Sequence, residues 1–108
     1  MTDKERLYFD SLTELSEALG HSYQNPLSLS LLCLIHGISF EQKGKIFIEF
    51  NSLLRQYEFY DLEVDLFKKA MVKIVPEAND FSEIVVIGFI KAYAKLLIPE
   101  LYPFAMTL

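Results

Sequence analysis

The chain lacks most of the residues that mark the common kinds of functional site. It has one cysteine, Cys33, in 108 residues, so an intrachain disulfide is excluded and a reducing compartment is expected. Its four glycines, Gly20, Gly37, Gly44 and Gly88, are scattered, which rules out a glycine-rich phosphate loop. The only histidines are His21 and His36, and neither has a second His or Cys at ligand spacing, so no metal or other cofactor is expected. The N-terminal stretch MTDKERLYFD is charged from its third residue and lacks the apolar core of a signal peptide. The most apolar run, Ile84 to Ile98, is too short to span a bilayer and carries Lys91 and Lys95, so it reads as a buried helix. These absences point to a cytoplasmic protein that does not enter a membrane.

Positive charge is also scarce. There are 15 acids against 10 bases, a net charge of −5, and no Lys or Arg from Leu7 to Gln42. Nucleic-acid binding needs a basic face to neutralise phosphates, so this balance argues against it, and for a basic protein partner or simple solubility.

What is present is apolar patterning. The chain is 52% hydrophobic and 23% charged, enough for one domain, residues 1–108, to bury a core without disulfides or metal. Periodicity and caps place five helices. The first runs from about Asp3 to Leu19, with Thr2 and Glu5 at capping-box spacing, Gly20 at the C-cap, and Tyr8, Leu12, Leu15 and Leu19 as a core stripe. The second is expected to begin with Asn25 as cap and Pro26 at the first helical position, and to close at Gly37. Alternation at Leu27, Leu29 and Leu31 would also suit a strand. Ser39 and Gln42 open the third, whose stripe is Ile46, Phe50, Leu53 and Tyr57. A small hairpin near residues 45–50, making the fold α+β, is the fallback there. The fourth follows Asp61 as N-cap, with Val64, Phe67, Met71 and Ile74 on one face and Leu62, Leu66 and Ala70 on another. The fifth follows Asp80 and ends at Pro99, and the tail folds back as one turn. The expected architecture is a compact all-α bundle.

Candidate chemistry is sparse. Asp61, Glu63 and Asp65 alternate as in a calcium loop, but Leu66 and Val72 occupy the positions that need Gly and Glu. Cys33 and His36 lie at i, i+3, yet the thiol sits among leucines and reads as an inert core residue. His36, beside Gly37, reads as a helix-end residue favoured by the dipole. Residues 31–47 give a weak helix-turn-helix signal, with only Lys43 and Lys45 to meet phosphates.

The acids are the most informative feature. Asp10, Glu14 and Glu17 fall opposite the leucine stripe of the first helix. Asp10 and Glu14 stand at i, i+4, where like charges cost about 0.2–0.5 kcal/mol. A second group, Glu58, Asp61, Glu63 and Asp65, surrounds Tyr57, Phe59 and Tyr60. Tyr57 and Tyr60 fall on core stripes, while Phe59 lies off them and is a candidate anchor. The leading expectation is a non-catalytic binding protein that neutralises a basic protein. Small bacterial immunity proteins that block nuclease toxins have this character, though no motif is shared. The alternative is a helical regulator or adaptor, monomeric or weakly dimeric through Leu62 and Leu66. An enzyme ranks last.

Overall fold

Hydroxyl side chains start four of the helices. Thr2 and Glu5 form a reciprocal capping box, each side chain accepting the other's backbone N–H at 3.1 Å. Ser39 and Gln42 do the same at 3.1 and 2.9 Å. Ser28 accepts from Leu31 N–H and Ser82 from Val85 N–H. The computed structural model, which describes residues 2–108, contains α1 (Asp3–Ala18), α2 (Leu29–Ile35), α3 (Phe40–Gln56), α4 (Val64–Ile74), α5 (Glu83–Leu96) and α6 (Tyr102–Ala105). Single 3-10 turns lie at Phe59–Asp61, Pro76–Asp80 and Pro99–Leu101. The fold is all-α, with no strand among the described residues, and residues 45–50 lie inside α3, which excludes the hairpin.

Two starts differ from expectation. Helix α2 begins at Leu29, not Pro26, because Ser22 and Asn25 close a tight turn and His21 Nδ1 takes the Leu27 N–H at 2.8 Å. The helix therefore does not start until Ser28 caps. In α5 the cap is Ser82, not Asp80, which lies in the preceding 3-10 turn. Both expected glycine stops hold. Gly20 and Gly37 have φ of +94° and +70°, and the following residues, His21 and Ile38, donate back to Ser16 and Cys33 carbonyls at 2.8 Å.

Helix α5 is the central element, with Val86, Phe89, Ile90, Ala92 and Tyr93 fully buried. Helices α2 and α4 pack on it, α3 packs on α4, and the C-terminal turns fold back against it. Helix α4 buries Phe67, Ala70 and Met71 along one broad face, and Leu62 just before it is buried as well, while Asp65 and Lys69 on the opposite side are exposed. Phe50 of α3 meets Phe67 of α4 and Tyr93 of α5 edge to face, each at 5.0 Å, and Phe104 of α6 stacks on Phe67 at 5.3 Å. Each such side chain contributes about 1.5–3 kcal/mol by burial. Tyr93 completes its burial by donating its phenol to the Lys43 carbonyl at 2.7 Å.

Helix α1 departs from this pattern. The expected core stripe is open to solvent: Tyr8, Leu12, Leu15 and Leu19 are 52–75% exposed. The helix meets the body along another line, Phe9, Thr13 and Ser16, of which only Ser16 is buried. The Thr13 and Ser16 hydroxyls satisfy themselves on the Phe9 and Thr13 carbonyls. The molecule is accordingly elongated, 46 × 27 × 21 Å.

Candidate partner-binding surface

The corner between α3 and α4 takes its shape from Leu62. This side chain is buried in the core, with an extended backbone at Leu62 and Glu63. Extended residues alternate sides, so Leu62 points in and Glu63 out; Val64 and Asp65 already belong to α4, Val64 half-buried and Asp65 exposed. The 3-10 turn before it, closed by Asp61 N–H to the Glu58 carbonyl at 2.9 Å, turns Phe59, Tyr60 and Asp61 outward. The alternating acids thus arise from chain geometry, not from a metal loop. Among the described residues, no three His, Cys, Asp or Glu side chains gather as a cation would require.

All five candidate residues here, Glu58, Phe59, Asp61, Glu63 and Asp65, share this exposed corner. Phe59 is 53% and Tyr60 81% exposed, and Tyr57 is at the margin, so neither tyrosine belongs to the core as its stripe suggested. The reason is that α3 ends at Gln56 and the stripe ends with it. Asp65 pairs with Lys69 at 3.0 Å, an exposed bridge. Glu58, Asp61 and Glu63 have no ion-pair partner among the described residues. Asp61 does not cap α4. Glu63 holds that position, and its side chain makes no cap bond.

On α1, Asp10, Glu14 and Glu17 are exposed on the side away from the leucine stripe, with no ion pair among the described residues, Glu17 lying near enough to His21 to favour its charged form. They span roughly 10 Å along the axis. The α1 acids and the corner acids lie on different elements of the fold.

The other candidates resolve differently. Leu62 is buried, which closes the Leu62–Leu66 seam to a second chain. Cys33 is buried among apolar side chains, and burial pushes its thiol up to about 11, so it stays protonated at neutral pH. His36 is not a dipole-stabilised cation. Its ring packs against Phe81 and Phe89, its Nε2 lies 2.8 Å from the Tyr23 phenol, and burial lowers its pKa. The α2–turn–α3 segment has the connectivity of a helix-turn-helix, but its cations are engaged. Lys43 reaches Ser30 at 3.0 Å and the Phe40 ring, and Lys45 pairs with Glu41 at 3.2 Å.

Sequence reasoning missed two features. One is the Tyr23–His36–Phe81–Phe89 aromatic cluster that ties the loop after α1 to the body. The other is an apolar groove of about 450 Å³ between α1 and α2, lined by Leu12, Leu15, Leu19, Leu27, Leu31 and Leu34 among others. Nothing in the spacing of either set marks the contact, because its partners are distant in the chain. Comparisons with protein-family models, curated proteins and solved structures find no match.

Proposed function

We propose that this domain is a non-catalytic binding protein that captures a basic protein partner, as small immunity proteins capture nuclease toxins. The observation that carries the reading is the α3–α4 corner: three unpaired carboxylates, Glu58, Asp61 and Glu63, beside three outward aromatic rings. Tyr57, Phe59 and Tyr60 offer large contact area with few rotatable bonds, so little conformational entropy is lost on binding. The carboxylates add a field that accelerates encounter with a cation-rich surface. The corner is anchored by the buried Leu62, so it meets a partner pre-shaped, which lowers the ordering cost of association. Asp10, Glu14 and Glu17 extend the same negative field from α1. A partner supplied inside the same cell fits the cytoplasmic setting.

The test uses the product of the neighbouring reading frame as the candidate partner, since an immunity gene adjoins its toxin. Stopped-flow association at low and high salt is expected to show a fast, salt-sensitive on-rate. Reversing Glu58, Asp61 and Glu63 to Lys slows it at least tenfold, while Phe59→Ala raises the off-rate. Salt-independent association, or association untouched by the triple reversal, sinks the reading.

A further inference from the structure

The leucine stripe of α1 is exposed, neutral and self-complementary, and from this we infer that the protein forms an antiparallel homodimer through α1. Residues 8, 12, 15 and 19 are spaced four, three, four. That spacing reads the same in both directions along the helix. A second α1 laid antiparallel, about a twofold axis between Leu12 and Leu15, sets Tyr8 on the copy's Leu19 and Leu12 on its Leu15. Every apolar side chain then meets another, which is what an isologous interface requires. The spacing is also that of the a and d positions of a coiled coil.

The flanks suit the same partner. On the side away from the body, the stripe is edged by Ser11 and Ala18, small residues that let two helices approach closely. The acids Asp10, Glu14 and Glu17 lie on the far side of α1, so two chains of net charge −5 meet without bringing them together. A basic partner is served by that acidic back; the four stripe side chains are uncharged, and the charge beside them is the Lys4 ammonium, 5.9 Å from the Tyr8 ring centroid. A second copy therefore fits this face better than a charged stranger does. The dimer also leaves the α3–α4 corner free, so this inference stands or falls separately from the proposed function.

Area decides whether such a pairing is stable. Tyr8, Leu12, Leu15, Leu19 and Leu34 each expose more than half of their surface. Together they offer roughly 500 Å² of contiguous apolar surface, at the upper end of what a monomer leaves open. Covering all of it would supply the apolar share, about 65%, of one side of a standard interface of about 800 Å². The groove beside the stripe, about 450 Å³ and lined by Leu27, Leu31 and Leu34, receives the edge of the copy's helix.

The test is sedimentation of the full chain over a wide concentration range. The mass is expected to double as concentration rises, and Leu12→Glu with Leu15→Glu to hold it at the monomer value with an unchanged helical spectrum. Ile84→Glu, on an exposed apolar side chain of α5, is expected to leave the dimer intact. Orientation is read from disulfides. Mixing Leu12→Cys protein with Leu15→Cys protein should give the mixed cross-link and little of either symmetric one, with the buried Cys33 silent. A mass that never rises, a dimer indifferent to the double Glu variant, or symmetric cross-links alone would overturn the inference.

Discussion

Helices α1 and α5 are nearly the same length, 16 and 14 residues, yet seven side chains or glycine positions of α5 are buried against one of α1. Both carry regular apolar residues. The difference lies in what surrounds them. Helix α5 is apolar over most of its surface and has α2, α4 and the C-terminal turns to cover it. Helix α1 is apolar on one side only, and it reaches the body along a different line, Phe9, Thr13 and Ser16, leaving the leucines open. A stripe says that a face is fit to be covered. It does not say by which surface.

The sharpest way to break this comparison is to truncate one large side chain in each region. Phe50→Ala removes the ring that joins α3, α4 and α5 and is expected to cost about 3–5 kcal/mol. Leu12→Ala, measured at low protein concentration, should change stability by about 0.5 kcal/mol or less. Urea midpoints decide it. A comparable loss at Leu12 would mean that α1 is part of the core.

Two glycines sharpen the contrast further. A Cβ at Gly88 in α5 would lie 2.5 Å from Tyr23 Cδ1, with Tyr23 Cβ and Cγ also close. Gly88→Ala must displace the Tyr23 ring and disturb its bond to His36, at a cost of about 1–3 kcal/mol. Gly44, exposed in the second turn of α3, has nothing within 4 Å of a Cβ. There the same substitution should stabilise by about 0.5–1 kcal/mol, since helical glycine is entropically costly. Thermal melts of the two variants should move in opposite directions.

The smallest effect is expected from pH. Burial holds His36 and His21 below their usual pKa, so the unfolded chain binds the proton first. A depressed folded-state pKa means stability that is complete above about pH 6.5 and declines as pH falls toward the folded values. At the alkaline end the sign is reversed. The Cys33 thiol is raised to about 11 and the Tyr93 phenol is raised further still, so stability declines as pH rises above about 9. The acid limb should loosen the loop after α1 before the body, because protonated His21 can no longer accept the Leu27 N–H and a charged His36 is held against the Phe81 and Phe89 rings. Amide exchange near pH 5.5, faster in residues 19–28 than in α5, would show it. Uniform exchange across both would remove that distinction between the regions.

Much of the fold was legible because its signals are local. The capping boxes at Thr2–Glu5 and Ser39–Gln42 and the stops at Gly20 and Gly37 each depend on residues within one turn, and each stands where spacing put it. The starts at Asn25, Asp61 and Asp80 failed for one shared reason. Each is a good cap in isolation, but a neighbouring segment was already committed, to the Ser22–Asn25 turn, to the Phe59–Asp61 turn, or to the Pro76–Asp80 turn. The candidate acids were legible as exposed charges, since carboxylates without partners stay in water. The exposure of Tyr57 and Tyr60 was not, because it depends on where α3 ends.

The sequence by itself determined the class of the fold, the helices and most of their ends, and the sign of the surface charge. Propensity, capping and charge act within a few residues, so the chain carries them wherever it goes. Tertiary structure alone decided that Leu62 is an anchor and not a seam, that His36 is a neutral wedge against Phe81 and Phe89, and that the leucines of α1 face outward. Those outcomes depend on which apolar faces can be covered together in a space that holds only so many. Helices α3, α4, α5 and α6 filled the core with Phe50, Phe67, Tyr93 and Phe104, and α1 was left with its stripe uncovered.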